Sequence, residues 1–152
     1  MKKHKSAREC ALSLLEYRDR TEQQMRQKLK EREYGPQEIE EALSFLKEYR
    51  YIDDADYAER YIRVYSRKKS TRQIRFDLER KGIARDVVEQ YLEESPVDEE
   101  GQIREYLLKK GCRPGERLDA AVYKKITAGL CRRGFSYEVI RRVMDRMLRE
   151  DE

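Results

Sequence analysis

The sequence predicts an all-α protein: three tandem three-helix repeats forming an elongated, curved array. Three observations lead there. An apolar pattern returns about every 50 residues, the mark of stacked supersecondary units. Charged residues make up 43% of the chain against 38% hydrophobic and no Trp, a balance that suits thin helical units with one buried stripe and a wide solvated face better than one deep core. Strict two-residue alternation never persists between turn signals, so no strand pattern competes.

The recurring pattern is Met25, Leu29, Tyr34, Ile39, Leu43, which returns as Ile74, Leu78, Ile83, Val87, Tyr91 and again as Ile126, Leu130, Phe135, Val139, Val143. In this frame the first copy holds one extra residue, within Tyr34-Gly35-Pro36. Each copy reads as a helix with an apolar i, i+4 pair, a turn led by an apolar residue, and a second helix with another such pair. Thr21 with Gln24 and Ser70 with Gln73 have capping-box spacing, in which a hydroxyl and an amide satisfy backbone N–H groups at a helix start. Gly82 and Gly134 fall where a helix must end in a left-handed residue, and Pro36 suits a first helical turn.

A further helix precedes each pair, over Ala7 to Tyr17, Asp54 to Arg67 and Asp98 to Lys110. Nine helices in three bundles follow, with repeats at 1–50, 51–96 and 97–152. Ser95-Pro96 is the break before the third repeat, whose internal connection, Gly111 to Arg117, is longer. Each unit is too small to bury its core well alone, so neighbours are expected to pack end to end.

The net charge of +4 understates the electrostatics, because the two signs are segregated along the chain. Residues 60–85 carry ten Lys or Arg against two acids, and residues 124–149 carry eight against two. Residues 36–59 hold eight acids and two bases, and residues 86–101 hold seven acids and no base. Grouped basic helices make a strongly positive surface suited to an anionic partner.

Catalytic chemistry has little to work with. His4 is the one histidine and lies in a basic tail with Lys2, Lys3 and Lys5, no setting for a histidine base or a Cys-His pair. The seven Gly are scattered and give no phosphate-cradling loop. Cys10, Cys112 and Cys131 are odd in number and lack CxxC spacing, so reduced thiols are expected rather than a disulfide framework or zinc site. Asp53, Asp54 and Asp56 could ligate a metal, but acids opening a helix are favoured by its dipole alone, and capping is the expected role. No stretch approaches the roughly 20 apolar residues of a membrane span, and the run Cys10 to Leu15 is too short for a signal-peptide core. The expectation is a cytoplasmic, monomeric binding protein without catalytic activity, metal or cofactor.

Candidate binding residues sit on two helices. In Thr71 to Lys81, Ile74 and Leu78 define the buried direction, and Arg72, Arg75, Phe76 and Arg80 fall away from it; Arg67, Lys68, Lys69 and Lys81 extend the patch. An aromatic among three guanidiniums suits a recognition surface; the competing reading packs Phe76 on a neighbouring helix and leaves the arginines solvated. In the last helix Ile140, Val143, Met144 and Met147 form the apolar side and Arg142, Arg146 and Arg149 the other, a recognition face or simply a solvated one. Tyr57, Tyr61 and Tyr65 form an i, i+4, i+8 stripe expected to pack between repeats rather than stack nucleobases.

Particular segments resemble the RecX family of RecA regulators. Tyr51-Ile52-Asp53-Asp54-Ala55-Asp56-Tyr57-Ala58 is similar to the family's apolar-Ile-Asp-Asp-x-x-aromatic-Ala signature, and Arg72 through Ile83 resembles its Arg-x-Ile-x-x-x-Leu-x-x-Lys-Gly-Ile helix and turn. Leu14, Leu15, Arg18 and Thr21 resemble the opening of its first repeat, and Arg133-Gly134-Phe135 with Val139-Ile140 its third. The resemblance covers Ala7 to Leu148. Two positions depart: Lys68-Lys69-Ser70-Thr71 stands where the loop usually contains Gly, and Glu33 stands where Gly is common. The resemblance implies a protein that binds RecA nucleoprotein filaments along their helical groove, with single-stranded DNA in the filament as a further contact. It implies inhibition of ATP hydrolysis, filament extension and strand exchange. A helix-turn-helix DNA-binding regulator is the alternative, disfavoured because Asp86, Glu89, Glu93 and Glu94 on the helix after Gly82 would repel phosphates.

Overall fold

The computed structural model describes residues 5–149, so His4 and the Lys2-Lys3 tail lie outside the described residues. These residues form nine helices and no strand: α1 Ala7–Tyr17, α2 Glu22–Glu31, α3 Pro36–Glu48, α4 Asp54–Tyr65, α5 Thr71–Arg80, α6 Arg85–Glu94, α7 Glu99–Lys109, α8 Ala120–Arg132 and α9 Tyr137–Arg149. They are grouped as three tandem triplets. The first helix of the second triplet ends at Tyr65 rather than at the expected Arg67, which leaves Arg67, Lys68 and Lys69 in the loop to α5.

The register of the repeat is simpler than the sequence pattern suggested. Met25-Leu29, Ile74-Leu78 and Ile126-Leu130 are buried as expected, but the second helices bury Val88 and Leu92, and Ile140 and Met144, in the places of Ile39 and Leu43. Val87, Tyr91 and Val139 are only half-buried. With that correction all five positions have identical spacing in the three copies, and the extra residue assigned to Tyr34-Gly35-Pro36 disappears. Adjacent apolar residues, Val87-Val88 and Tyr91-Leu92, had left two frames one residue apart.

The turns follow the same template. Gly82 and Gly134 take φ of +85° and +97°, conformations that cost a side-chain-bearing residue about 1 kcal/mol or more. Glu33, where Gly was expected, takes φ +66° all the same, so the first turn keeps its shape without the glycine. Pro36 is at the start of α3, where its missing N–H costs nothing.

The chain divides into two compact units, and the second triplet contributes to both. One unit comprises residues up to Tyr61 together with Asp77–Tyr91; the other comprises Ile62–Phe76 and the residues from Leu92 onward. The core of the first is built from Ala7, Cys10, Ala11 and Leu14 of α1, Met25 and Leu29 of α2, and Ile39, Ala42, Leu43 and Leu46 of α3. In the second, Ile103 and Leu107 of α7 pack with Ile126 and Leu130 of α8, Phe135, and Ile140, Val143, Met144 and Met147 of α9. Among the described residues, Thr21 and Ser70 are the buried polar ones, and both lie where one triplet meets the next. No described helix is long and apolar enough to cross a membrane.

Candidate functional site

The two junctions are built alike. In the first unit the Thr21 hydroxyl accepts the Gln24 N–H at 3.2 Å and donates to the carbonyl of Lys81. The Gln24 side chain returns a bond to the Thr21 N–H at 3.0 Å, completing the capping box. The Glu22 N–H, another unpaired donor of that helix start, is met by Asp54 Oδ1 at 2.9 Å. In the second unit the Ser70 hydroxyl accepts the Gln73 N–H at 3.0 Å and donates to the carbonyl of Arg133 at 3.0 Å. The Thr71 N–H is met by Glu99 Oε2 at 3.3 Å. In each case a helix-capping hydroxyl also satisfies the last carbonyl of the next triplet's second helix, just before its left-handed glycine. That close approach explains the glycines a second time: a Cβ on Gly134 would stand 2.5 Å from Ser70 Oγ, and one on Gly82 would stand 2.4 Å from Gln23 Cβ.

At the second junction this packing gathers positive charge. Gln102 donates to the carbonyls of Ser66 and Lys69 at 2.9 and 2.8 Å, tying down the loop that carries Arg67, Lys68 and Lys69. Lys109 and Lys110 at the end of α7, and Arg132 and Arg133 at the end of α8, line the same open hollow of about 800 Å³. Seven cations thus face one carboxylate, Glu105, which pairs with Lys109 at 3.4 Å. Tyr106 forms part of the lining, with the Arg133 guanidinium 4.8 Å and the Lys110 ammonium 5.5 Å from its ring centroid; Lys69 lies 4.3 Å from that of Tyr65. A concave surface of one sign raises the local concentration of anions.

The structure distributes the predicted binding residues. Arg67, Lys68 and Lys69 line the hollow. Arg72 is exposed and Phe76 is 52% exposed, whereas Arg75 sits on the flank of α5 and is half-buried. Arg80 and Lys81 belong to the first unit, where they line a smaller hollow with Arg18 and Arg20. On α9 the buried face is Ile140, Val143, Met144 and Met147 as expected, but Arg142 and Arg146 reach Glu100 of α7 at 3.4 and 3.3 Å. Two of the three arginines on that face are therefore engaged within the chain. Sequence reasoning did not pick out Tyr106, Lys109, Lys110, Arg132 or Arg133; the available signal was a pair of adjacent bases before each of Gly111 and Gly134.

Of the acidic run opening α4, Asp53 and Asp54 meet backbone N–H groups, and Asp56 is in an ion pair. Asp53 Oδ1 accepts the Asp56 N–H at 3.0 Å, Asp54 serves α2, and Asp56 pairs with Arg60 at 2.9 Å. Among the described residues no group of His, Cys, Asp or Glu could hold a metal ion. Burial pushes the Asp54 carboxyl above its ordinary range, with the Glu22 N–H pulling the other way. Of the tyrosine stripe, Tyr61 donates to Asp77 Oδ2 at 2.6 Å and lies under Lys81, 5.8 Å away. Both of these contacts lie inside the second triplet.

Three helical triplets with capped junctions and basic hollows define a helical-repeat protein. Its relatives give the class a name. Three family models match in order: RecX, first three-helix domain, at residues 7–46; the second at 53–92; and the third at 98–144. Regulatory protein RecX of Vibrio vulnificus is 36% identical over 139 residues, covering 90% of this chain and 89% of that one. That of Clostridium botulinum strain Eklund 17B is 31% identical over 140 residues, covering 90% of this chain; the chain spans 66% of that relative's length. A crystal structure of regulatory protein RecX matches with a TM-score of 0.78 at 27% identity, over 91% of this chain and 71% of that one. RecX from Lactobacillus salivarius shares the fold, with a TM-score of 0.74 at 23% identity over 93% and 94% of the two chains. The chain belongs to the RecX family of regulatory proteins.

Proposed function

We propose that this chain binds RecA filaments assembled on single-stranded DNA and restrains their ATP hydrolysis, extension and strand exchange, moderating recombination, DNA repair and the SOS response. It does so in the cytoplasm, as a monomer, by binding rather than by catalysis. The observation that carries the reading is the hollow at the Ser70 junction, where seven cations face one carboxylate. Such a surface fits an acidic protein face or a phosphate backbone, and electrostatic attraction of this kind speeds encounter and fixes register. Arg67, Lys68 and Lys69 lead the contact, joined by Arg72, Arg75 and Phe76 on α5; Arg80, Lys81, Arg142, Arg146 and Arg149 give secondary contacts. The direct DNA-binding alternative gains nothing from α6, whose Asp86, Glu93 and Glu94 are exposed. The test is to add the protein to RecA on single-stranded DNA and follow ATP hydrolysis, with binding to duplex DNA alone as the control. Hydrolysis should fall at protein concentrations that leave duplex DNA unbound. Tight duplex binding without an effect on hydrolysis would select the alternative.

A further inference from the structure

The first repeat displays a row of three aromatic rings at the end of α3. Phe45 is half-buried, and its ring centroid lies 5.0 Å from that of Tyr49 and 6.2 Å from that of Tyr51. The helix end builds the row. Arg50 takes φ +58°, and the Tyr51 N–H donates to the Leu46 carbonyl at 2.8 Å, so the chain turns back and lays Tyr51 beside Phe45. Tyr49 and Tyr51 are 61% and 54% exposed, and neither hydroxyl has a hydrogen-bond partner among the described residues. Single exposed apolar side chains are ordinary, but a contiguous aromatic row marks an interaction surface.

Charge decides what the row fits. Glu40, Glu41 and Glu48 line an open hollow of about 680 Å³ with Phe45, Tyr49 and Arg8 of α1. Arg26 pairs with Glu40 at 2.9 Å, whereas Glu41 and Glu48 are exposed and have no ion pair among the described residues. Exposed rings also stack nucleobases, but these carboxylates repel a phosphate backbone. A guanidinium satisfies both features, since it stacks flat on a ring and pairs with a carboxylate at its edge. The chain itself shows the first of those contacts, with the Arg8 guanidinium 4.4 Å from the Phe45 ring centroid. Among the described residues no cation covers Tyr49 or Tyr51.

We infer that this face of the first repeat is a docking surface for an arginine-bearing segment of another protein. Guanidiniums stack on Tyr49 and Tyr51, and Glu41 and Glu48 balance their charge. Tyrosine and arginine are the residue types that most often dominate binding energy at such contacts. The surface shares no residue with the Ser70 hollow, and the inference does not rest on the filament reading.

The test titrates the full chain, 13C-labelled, with a short peptide of alternating Arg and Gly and with its Lys counterpart at the same ionic strength, following ring signals by NMR. The two signals are assigned by their loss in Tyr49→Leu and Tyr51→Leu, which keep an apolar side chain at exposed positions and so leave the fold intact. Saturable shifts of both rings are expected, with the Arg peptide bound several-fold more tightly than the Lys peptide. Each tyrosine variant should remove most of that preference, and Glu41→Gln with Glu48→Gln should weaken both peptides several-fold. The inference is overturned by the absence of a saturable ring shift, or by equal affinity for the two peptides that the tyrosine variants leave unchanged. Tighter saturation of the same signals by an oligothymidylate also overturns it, making the face a nucleic-acid surface. So does self-association of the wild type in sedimentation that the tyrosine variants abolish, which makes it an interface between copies. Equal shifts of both rings on deleting residues 1–4 assign the face to the chain's own basic end, with the same consequence.

Discussion

At the Thr21 junction a buried hydroxyl caps α2 and reaches the carbonyl of Lys81; at the Ser70 junction its counterpart caps α5 and reaches the carbonyl of Arg133. The charges displayed around them differ. Position Asp19, beside the first, corresponds to Lys68 in the hollow at the second. Around the Thr21 junction cations meet carboxylates, Arg60 with Asp19 and Lys47 with Glu22, whereas the hollow beside the Ser70 junction is lined by seven cations and one carboxylate. The fold is specified by a few buried positions, namely a hydroxyl, a glycine and the apolar pairs. The solvated positions between them are free to differ in charge.

The largest effects should come from the shared skeleton. Leu78 and Leu130 are fully buried, and truncating either to Ala should cost about 2–5 kcal/mol in urea unfolding. A midpoint unchanged by Leu78→Ala would remove it from the repeat's core. Next come the capping hydroxyls. Thr21→Ala and Ser70→Ala each lose a cap and strand a carbonyl, together about 1–3 kcal/mol. Similar losses at the two sites would support their equivalence, and a loss at one alone would break it.

The smallest effect concerns acid. Arg26 bonds Glu40 at 2.9 Å and holds its carboxyl below the ordinary 4.5. That contribution is present above 4.5 and fades as pH falls through the lower folded value. Asp54 has the opposite sign, since its folded carboxyl is raised above 3.8; its contribution is full below 3.8 and fades as pH rises through the folded value. Urea midpoints against pH should therefore lose some acid sensitivity in Glu40→Gln and gain some in Asp54→Asn. Identical profiles for the two variants would refute the assignment.

How much of this was legible in the sequence depends on distance along the chain. Helix order, the capping pair Thr21-Gln24 and the turns at Gly82 and Gly134 are local, and periodicity with cap chemistry exposes them. The one-residue frame error arose where two apolar residues adjoin, because a 3.6-residue period cannot choose between Val87 and Val88 without knowing what they pack against. The loop cations Arg67, Lys68 and Lys69 were legible as a charge run. Their meeting with Lys109, Lys110, Arg132 and Arg133 was not, since it depends on Ser70 bonding a carbonyl 63 residues away. On α9 the spacing identified Arg142 and Arg146 but could not show Glu100 reaching them.

The proposed role of the Ser70 hollow is to meet the filament. Arg67 and Lys68 are exposed and form no ion pair among the described residues, so reversing both to Glu should leave circular dichroism and the urea midpoint unchanged. The decisive measurement is ATP hydrolysis by RecA on single-stranded DNA, titrated with this variant and with the wild type. A sharp loss of inhibition is expected, with wild-type inhibition itself weakening as salt rises. Wild-type inhibition by the folded double reversal would contradict it.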